Sequence, residues 1–405
     1  MSALPAFLDT VTGVSAEQIQ GILSAARRYL AMDVGFISEF TQGDRIYRFT
    51  DSGGGGSPVK VGASDPLEVT LCHQVAQGFI PGLLADTREN ARAVELSSAY
   101  SFPVGALLSV PLRHPDGTPF GSLCCFSYEP RHSLNEQHLS VLNMCADVVC
   151  VVLEQERRAA AELVARRTRI RRVIEDDAIE MVFQPLYRVE DGWLTGFEAL
   201  ARFPQDPTRR VDSWFTEAAE VGLGLDLEFL AVRKALDALP ALNEALKLTI
   251  NLSPGAIVSP RFGPALADVP VNRIVVEMTE HAVVDCYDTL RQALAPYRER
   301  GLRLAIDDVG AGHSTFRHIL DLSPELIKLD RTLIHNLHRD TARRALAEAL
   351  TMYGRRIGCE VVAEGVEVEE ELAVIRTLGM TRVQGYLLGR PMPLAQALEL
   401  PPVRG

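Results

Sequence analysis

Positive charge is in the minority in this 405-residue chain: 41 Lys and Arg stand against 53 Asp and Glu, a formal charge of −12. That balance argues against an extended nucleic-acid duplex as partner, which is gripped by clustered basic residues, and leaves room for an acidic protein that binds cations. Long apolar runs are missing. None approaches the roughly 20 residues needed to cross a bilayer, and residues 1–10 lack the basic-then-apolar order of a secretory leader, so the expected compartment is the cytoplasm. The seven cysteines, an odd number, include no Cys-x-x-Cys, and the adjacent Cys124 and Cys125 lie in an apolar stretch. They read as reduced core residues, not as a disulfide framework. Cys72-His73 is the one pair with sensor or ligand chemistry, but two ligands do not make a metal site and no others follow at metal-binding spacing.

What is present is ordinary for a folded protein: 47% hydrophobic and 23% charged residues, in a length that suggests two or three domains. The first 150 or so residues alternate helical and strand patterns. Residues 16–32 form an amphipathic stretch and 34–39 a strand, while 105–113 and 121–128 flank the turn His114-Pro115-Asp116-Gly117 as an antiparallel hairpin. An α+β domain is expected over residues 1–152. The run Ser52-Gly53-Gly54-Gly55-Gly56-Ser57 has no following Gly-Lys-Ser/Thr and reads as a flexible hairpin tip, not a phosphate cradle.

From Leu142 apolar residues recur at alternating spacings of four and three: Leu142, Ala146, Val149, Leu153, then Ala160, Leu163 and Ile170, with Glu156 and Arg167 interrupting. This spacing predicts a long helix whose seam pairs with a second copy, a parallel homodimer, through a possible coiled coil over 153–173. Its remaining arginines, Arg157, Arg158, Arg166, Arg169, Arg171 and Arg172, alternate with Glu154 and Glu162 as a solvated face laced with helical ion pairs.

Beyond residue 174 short β-branched runs alternate with helical stretches, at 181–189, 194–202, 246–252, 273–278, 302–307, 326–330, 360–363 and 381–387. Eight strands with intervening helices predict an α/β TIM-like (β/α)8 barrel over 174–405, and such barrels carry chemistry at the C-terminal ends of their strands. Those ends are polar: Gln184, Glu198 followed by Arg202, Asn251, Glu277, Asp307-Asp308, Lys328, Glu364 followed by Glu367, and Gln384. Converging carboxylates repel one another unless cations neutralise them. Carboxylates and an amide oxygen are hard ligands that suit Mg²⁺ or Mn²⁺. Adjacent Asp307 and Asp308 could splay toward two ions, the arrangement that polarises a phosphodiester for in-line attack. Lys328 then orients water or stabilises charge, and Arg202 clamps a phosphate.

These residues resemble a known family. Glu198-Ala199-Leu200-x-Arg202 is similar to the signature of the EAL phosphodiesterases, as are Phe183-Gln184-Pro185, Asn251-Leu252-Ser253, Glu277-Met278-Thr279-Glu280, Asp307-Asp308-Val309-Gly310-Ala311-Gly312, Lys328-Leu329-Asp330, Ala363-Glu364-Gly365-Val366-Glu367 and Gln384-Gly385-Tyr386. The resemblance implies hydrolysis of cyclic di-GMP to linear pGpG. It implies that Glu198, Asn251, Glu277 and Asp307 hold one divalent cation and Asp307, Asp308 and Glu364 a second. Lys328 and Glu367 would handle the attacking water, and Glu280 would brace the loop after Asp308. Gln184, Arg202 and Gln384 would contact substrate or order the site. Val309, Ala311 and His313 depart from the family's usual loop, which bears on regulation more than on chemistry.

The N-terminal region resembles a GAF sensor domain through Leu71-Cys72-His73-Gln74-Val75, the strand Gly121-Ser122-Leu123-Cys124-Cys125-Phe126 and the helix opening Ser133-Leu134-Asn135-Glu136. The resemblance implies a small-molecule or other signal that it does not identify. Two alternatives to a phosphodiesterase stand beside it. A catalytically inactive cyclic di-GMP receptor would have lost metal ligands, yet every one is kept. A carbohydrate-active barrel would need aromatic platforms, and only two Trp occur.

Overall fold

The computed structural model describes residues 13–54, 57–97, 102–279, 284, 286–309 and 315–402. The chain divides into two compact units, Met1–Val164 and Ala165–Gly405. The first is built on a six-stranded antiparallel sheet of β1 (Val34–Phe40), β2 (Asp44–Ser52), β3 (Ser64–Pro66), β4 (Leu83–Leu84), β5 (Ala106–Arg113) and β6 (Pro119–Ser127), in the spatial order β3-β2-β1-β6-β5-β4. The expected β5–β6 hairpin closes as read. Gly117 takes φ +86°, and His114 both donates its N–H to Thr118 O at 2.9 Å and accepts from Gly117 N at 2.9 Å. Of the glycine run, Gly53 and Gly54 follow β2, and Gly55 and Gly56 lie outside the described residues.

Each face of this sheet carries its own core, because successive strand side chains point to opposite sides. On one face Ile37, Leu108, Val110, Leu123 and Cys125 pack with Ile19, Leu23 and Ala26 of α1 (Gly13–Tyr29). On the other, Phe36, Tyr47, Leu107, Cys124 and Phe126 pack with Leu71 and Cys72 of α2 (Leu71–Ala76) and Ala93 and Leu96 of α3 (Ala91–Ser97). Cys124 and Cys125, neighbours in sequence, thus belong to different cores. All seven cysteines are free thiols.

Helix α4 (Glu136–Glu175) runs from the first unit into the second and corrects the reading of its seam. Leu142, Ala146, Val149 and Leu153 are buried in the α1 core of the first unit itself. Ile170 and Val173 are buried in the second unit, against Ala201, Phe203, Trp214, Ala218 and Leu227. Only the stretch between them is open, with Leu163 52% exposed. The four-and-three spacing therefore marks a helix laid on a sheet, which needs the same stripe as a coiled coil. Part of α4 is also apolar enough over 18 residues to meet the length and composition of a membrane span, and 22% of that window is buried in the structure. Its arginines divide. Arg157 and Arg158 pair along the helix with Glu154 at 2.8 and 2.7 Å, whereas Arg166 and Arg169 reach Glu220 and Glu217 of α5 (Val211–Glu220) at 3.1 and 2.6 Å.

The second unit is a closed eight-stranded barrel: β7 (Glu180–Arg188), β8 (Leu194–Arg202), β9 (Lys247–Asn251), β10 (Ile274–Thr279), β11 (Arg303–Val309), β12 (Leu326–Leu329), β13 (Glu360–Ala363) and β14 (Arg382–Val383), with β14 pairing back to β7. From β8 to β14 neighbours are parallel, whereas β7 runs antiparallel to β8, to β14 and to the short outer strand Met392–Pro393. Gln184 therefore sits in the middle of its strand, directly opposite Glu198. Strand β14 is shorter than the expected 381–387 because the chain turns at Gln384 to bond the backbone of Val366, which donates to Gln384 O and accepts from Leu387 N at 3.2 and 3.0 Å.

The seam correction carries a test. Leu142→Ala removes a fully buried side chain from the sensor core, so denaturant unfolding should show its sensor transition destabilised by about 2–5 kcal/mol. A Leu142→Ala protein with an unshifted sensor transition would mean that this face is not part of the domain's own core.

Candidate active site

Lys328 organises the mouth of the barrel. Its Nζ, on β12, lies 2.5 Å from Glu277 Oε1, 2.6 Å from Glu364 Oε1, 3.3 Å from Asp307 Oδ1 and 3.4 Å from Glu198 Oε2. These carboxylates come from β8, β10, β11 and the residue after β13, so neighbouring strand ends converge on one ammonium. Burial pulls the Lys328 ammonium down, but Asp307, Glu198, Glu277 and Glu364 together outweigh it and hold it well above the usual lysine range. Burial, then Asp307, pushes the carboxyls of Glu277 and Glu364 well above theirs. Asp307 is also pushed up by burial, but Lys328, the Glu277 carboxyl and the Asp308 backbone together outweigh it and leave the group below its ordinary value.

Adjacent residues of a regular strand face opposite ways, so Asp307 and Asp308 need a local irregularity to share one mouth. The structure supplies a bulge. Ile306 pairs with Ile327 and Val309 with Leu329, leaving one extra residue on β11, and Asp308 takes the left-handed φ of +56°. One carboxylate oxygen each of Asp307, Asp308 and Glu364 thereby lies within 4.8 Å of the others. Glu198 is oriented from the side: Gln384 Nε2 donates to Glu198 Oε2 at 2.7 Å and to Gln184 Oε1 at 2.9 Å, and Gln184 Nε2 donates to Gly389 O at 3.2 Å. Both glutamines are buried, and both order the site. Asn251, at the end of β9, donates weakly to Glu198 Oε1 at 3.4 Å.

The residues that line space fall into two groups. A cavity of about 200 Å³ is lined by Gln184, Glu198, Asp307, Lys328, Glu364, Glu367 and Gln384, and one of about 930 Å³ by Arg202, Asn251, Glu277 and Asp308, with Leu200 lining both. Arg202 Nη1 donates to Ala201 O at 2.7 Å. Glu367 is not among the carboxylates around Lys328; it pairs with Arg331 at 2.7 Å. Glu280, Ala311 and His313 lie outside the described residues.

Sequence reasoning missed the supports of this mouth. Gly385 packs so tightly that a Cβ there would stand 2.2 Å from the backbone of Val366, which fixes the loop of Glu364 against that of Gln384. Glu371, 1% exposed, accepts the N–H groups of Glu367 and Asn336 at 3.0 and 2.9 Å. It is the third residue of the helix Glu369–Leu378, where a glutamate reaches back to the preceding amides. That position was the readable signal, obscured by the flanking Glu369 and Glu370.

The donor set fits divalent cations. Four carboxylates face a single ammonium, Asp307 Oδ1 reaches it only at 3.3 Å, and the buried Glu277 Oε2 has no hydrogen-bond partner among the described residues. Buried anionic oxygens in excess over cations are costly unless further positive charge is supplied, and hard oxygens favour Mg²⁺ or Mn²⁺.

An eight-stranded barrel with an acidic mouth, joined by a helix to an α+β unit, defines the class of the molecule. The profile of the EAL domain matches residues 167–391 and that of the GAF domain residues 16–154, and the chain belongs to the EAL family, with a GAF domain preceding the barrel. It is 28% identical over 336 residues to an "uncharacterized signaling protein" of Caulobacter vibrioides, covering 79% of this chain and 40% of that one. It is 31% identical over 255 residues to the cyclic di-GMP phosphodiesterase NbdA of Pseudomonas aeruginosa, covering 60% and 32%. The chain thus spans well under half the length of these relatives. Among solved structures, the PaMucR phosphodiesterase in complex with c-di-GMP matches with a TM-score of 0.52 and 26% identity over 58% of this chain and 99% of that one. The EAL enzyme Bd1971 shares the fold over 91% of this chain at a TM-score of 0.56 and 18% identity.

The bulge makes its own prediction. Asp308→Asn and Asp308→Val both delete the charge, but only Asn tolerates a left-handed backbone. Thermal melting should place the barrel of Asp308→Val about 1–3 kcal/mol below that of Asp308→Asn. Equal stabilities would contradict the strained conformation.

Proposed function

We propose that this protein is a metal-dependent phosphodiesterase that hydrolyses cyclic di-GMP to linear 5′-pGpG in the cytoplasm, under the control of its GAF domain. The observation that carries the reading is the ring of strand-end carboxylates around Lys328, with Asp308 brought alongside by the bulge. Its kinship with NbdA supports the substrate. Glu198, Asn251, Glu277 and Asp307 would hold one Mg²⁺ or Mn²⁺, and Asp307, Asp308 and Glu364 the second. When bound, the two ions polarise the phosphodiester and lower the pKa of a water molecule. The rest falls to the chain. The 930 Å³ cavity is within the size range of small-molecule sites and admits the dinucleotide. Arg202 at its wall clamps a phosphate. Lys328, held protonated, stabilises negative charge at the attacked phosphate, and Glu367 at the rim accepts a hydrogen bond from the attacking water. Breaking one P–O3′ bond leaves the phosphate on the 5′ side and gives the linear product. Gln184 and Gln384 keep Glu198 in place throughout.

Regulation would run through α4. Its C-terminal Ile170 and Val173 share a core with Ala201 and Phe203, the residues on either side of Arg202, so a turn or shift of that helix end would be felt beside the substrate cavity. The homodimer proposed from the sequence moves to another surface of α4. Met144, Val148 and Val151, 67%, 50% and 57% exposed, repeat at four and three on the face away from the sensor core.

The proposal is tested by incubating the protein with cyclic di-GMP and Mg²⁺ or Mn²⁺ and resolving the products by chromatography. Linear pGpG should accumulate, vanish with EDTA and return with either metal but not with Ca²⁺, whose larger, looser shell positions water poorly. Hydrolysis that persists in chelator would rule out the metal mechanism. Glu198→Ala, Asp307→Ala and Lys328→Ala should each lower turnover at least about a hundredfold while still melting cooperatively in Mg²⁺. Tight binding of unhydrolysed cyclic di-GMP would favour a receptor instead.

A further inference from the structure

Three successive residues of the loop after β13 are clamped, each by a different element. Gly365 takes the left-handed φ of +63°, and a Cβ there would stand 2.5 Å from Cγ, 2.7 Å from Cβ and 3.0 Å from Cδ of Arg331. The aliphatic stem of Arg331 therefore packs on the bare Cα of Gly365, a closeness that only glycine permits. Val366 meets Gly385, and the amide of Glu367 donates to Glu371 at 3.0 Å. The backbone that carries Glu364 and Glu367 is thus held from three sides.

Arg331 owes its place to the turn that follows Lys328. Asp330, just past β12, caps the short helix Arg331–Ile334 by accepting the N–H of Thr332 at 2.8 Å. Arg331 opens that helix and lines the 200 Å³ cavity together with Lys328, Gly365 and Glu367. Its Nη2 lies 2.7 Å from Glu367 Oε1, the two side chains being 59% and 32% exposed. A pair this open contributes little to folding stability. What it fixes is the place of the Glu367 carboxylate at the cavity rim. Glu371 secures the amide of Glu367, but the side chain beyond it would otherwise turn about its own bonds. A carboxylate offers about four lone-pair sites, so the pair with Arg331 leaves Glu367 able to accept from a water molecule.

We propose that Arg331 is a positioning residue of the active site: it holds the Glu367 carboxylate where the attacking water meets it, and it acts on turnover through Glu367 and not by touching substrate. The inference rests on the phosphodiesterase reading and adds to it a residue outside the strand-end set. A direct phosphate clamp is the competing role for a guanidinium at this rim. A double-mutant cycle separates the two, because a residue that acts through another has no further effect once that other is gone.

The full chain, Arg331→Gln, Arg331→Lys, Glu367→Gln and the double variant Arg331→Gln/Glu367→Gln are compared in cyclic di-GMP hydrolysis with Mg²⁺, in equilibrium dialysis against Mn²⁺ and in thermal melting. Glutamine keeps the three stem carbons that pack on Gly365, so Arg331→Gln removes the guanidinium alone. It should melt with the parental protein and bind as much Mn²⁺, since an exposed pair adds little stability and the proposed metal ligands are unchanged. Its kcat should fall about tenfold with KM within about twofold of the parental value. Arg331→Lys keeps the charge and should retain at least about a third of parental kcat. In the Glu367→Gln background, Arg331→Gln should lower kcat by less than about twofold more. Parental turnover in Arg331→Gln, a loss carried by KM, a loss of Mn²⁺ binding, or losses that multiply in the double variant would each overturn the inference while leaving the phosphodiesterase reading standing. An Arg331→Gln protein that fails to fold would contradict the purely positional pair. A parental chain that makes no pGpG would overturn the phosphodiesterase reading and this inference together.

Discussion

One ammonium in a ring of four carboxylates is the constraint on which the barrel's mouth depends. Lys328 and Glu277 are 5% and 0% exposed, where unlike charges attract strongly and like charges repel as strongly. A single cation cannot neutralise Glu198, Glu277, Asp307 and Glu364 together. Among the described residues the buried Glu277 Oε2 accordingly has no hydrogen bond, and the protons of Glu277 and Glu364 are pushed toward retention. A fold that aims this much negative charge at one point is built to receive positive charge from outside. The supports follow from that need: two glutamines hold Glu198, a bulge turns Asp308 inward, Gly385 lets one loop seat against another, and Glu371 anchors the amide of Glu367.

Helix α4 does a different kind of work. Its N-terminal half completes the sensor core and its C-terminal end completes a core of the barrel unit, so each domain owns part of one continuous element. Between them lies an open stretch in which Leu163 and Val164 are solvent-exposed. One continuous helix therefore joins the two units without a separate linker.

Much of the fold was legible because alternation and β-branching mark strands directly. The bounds of β8 and β13 read from the sequence are those observed, and most others differ by a residue or two. The acids of the mouth were legible because barrel chemistry gathers at strand ends. What was hidden depended on the third dimension. A seam for a partner helix and a stripe laid on a sheet share nearly the same period, so Leu142, Ala146, Val149 and Leu153 could not reveal which surface covers them. The antiparallel β7 moved Gln184 from a strand end to the middle of a strand. The adjacency of Asp307 and Asp308 was visible, but not the bulge that makes it useful. Nor could 27 residues of separation suggest that Arg45 donates to Cys72.

The central claim, that the carboxylates around Lys328 are a divalent-cation site, is tested most directly by equilibrium dialysis of the full chain against Mn²⁺ without substrate. The account predicts two ions per chain, and at most one when Asp307, the residue shared by both proposed sites, is changed to Asn. Absence of Mn²⁺ binding, or undiminished binding by Asp307→Asn, would contradict it.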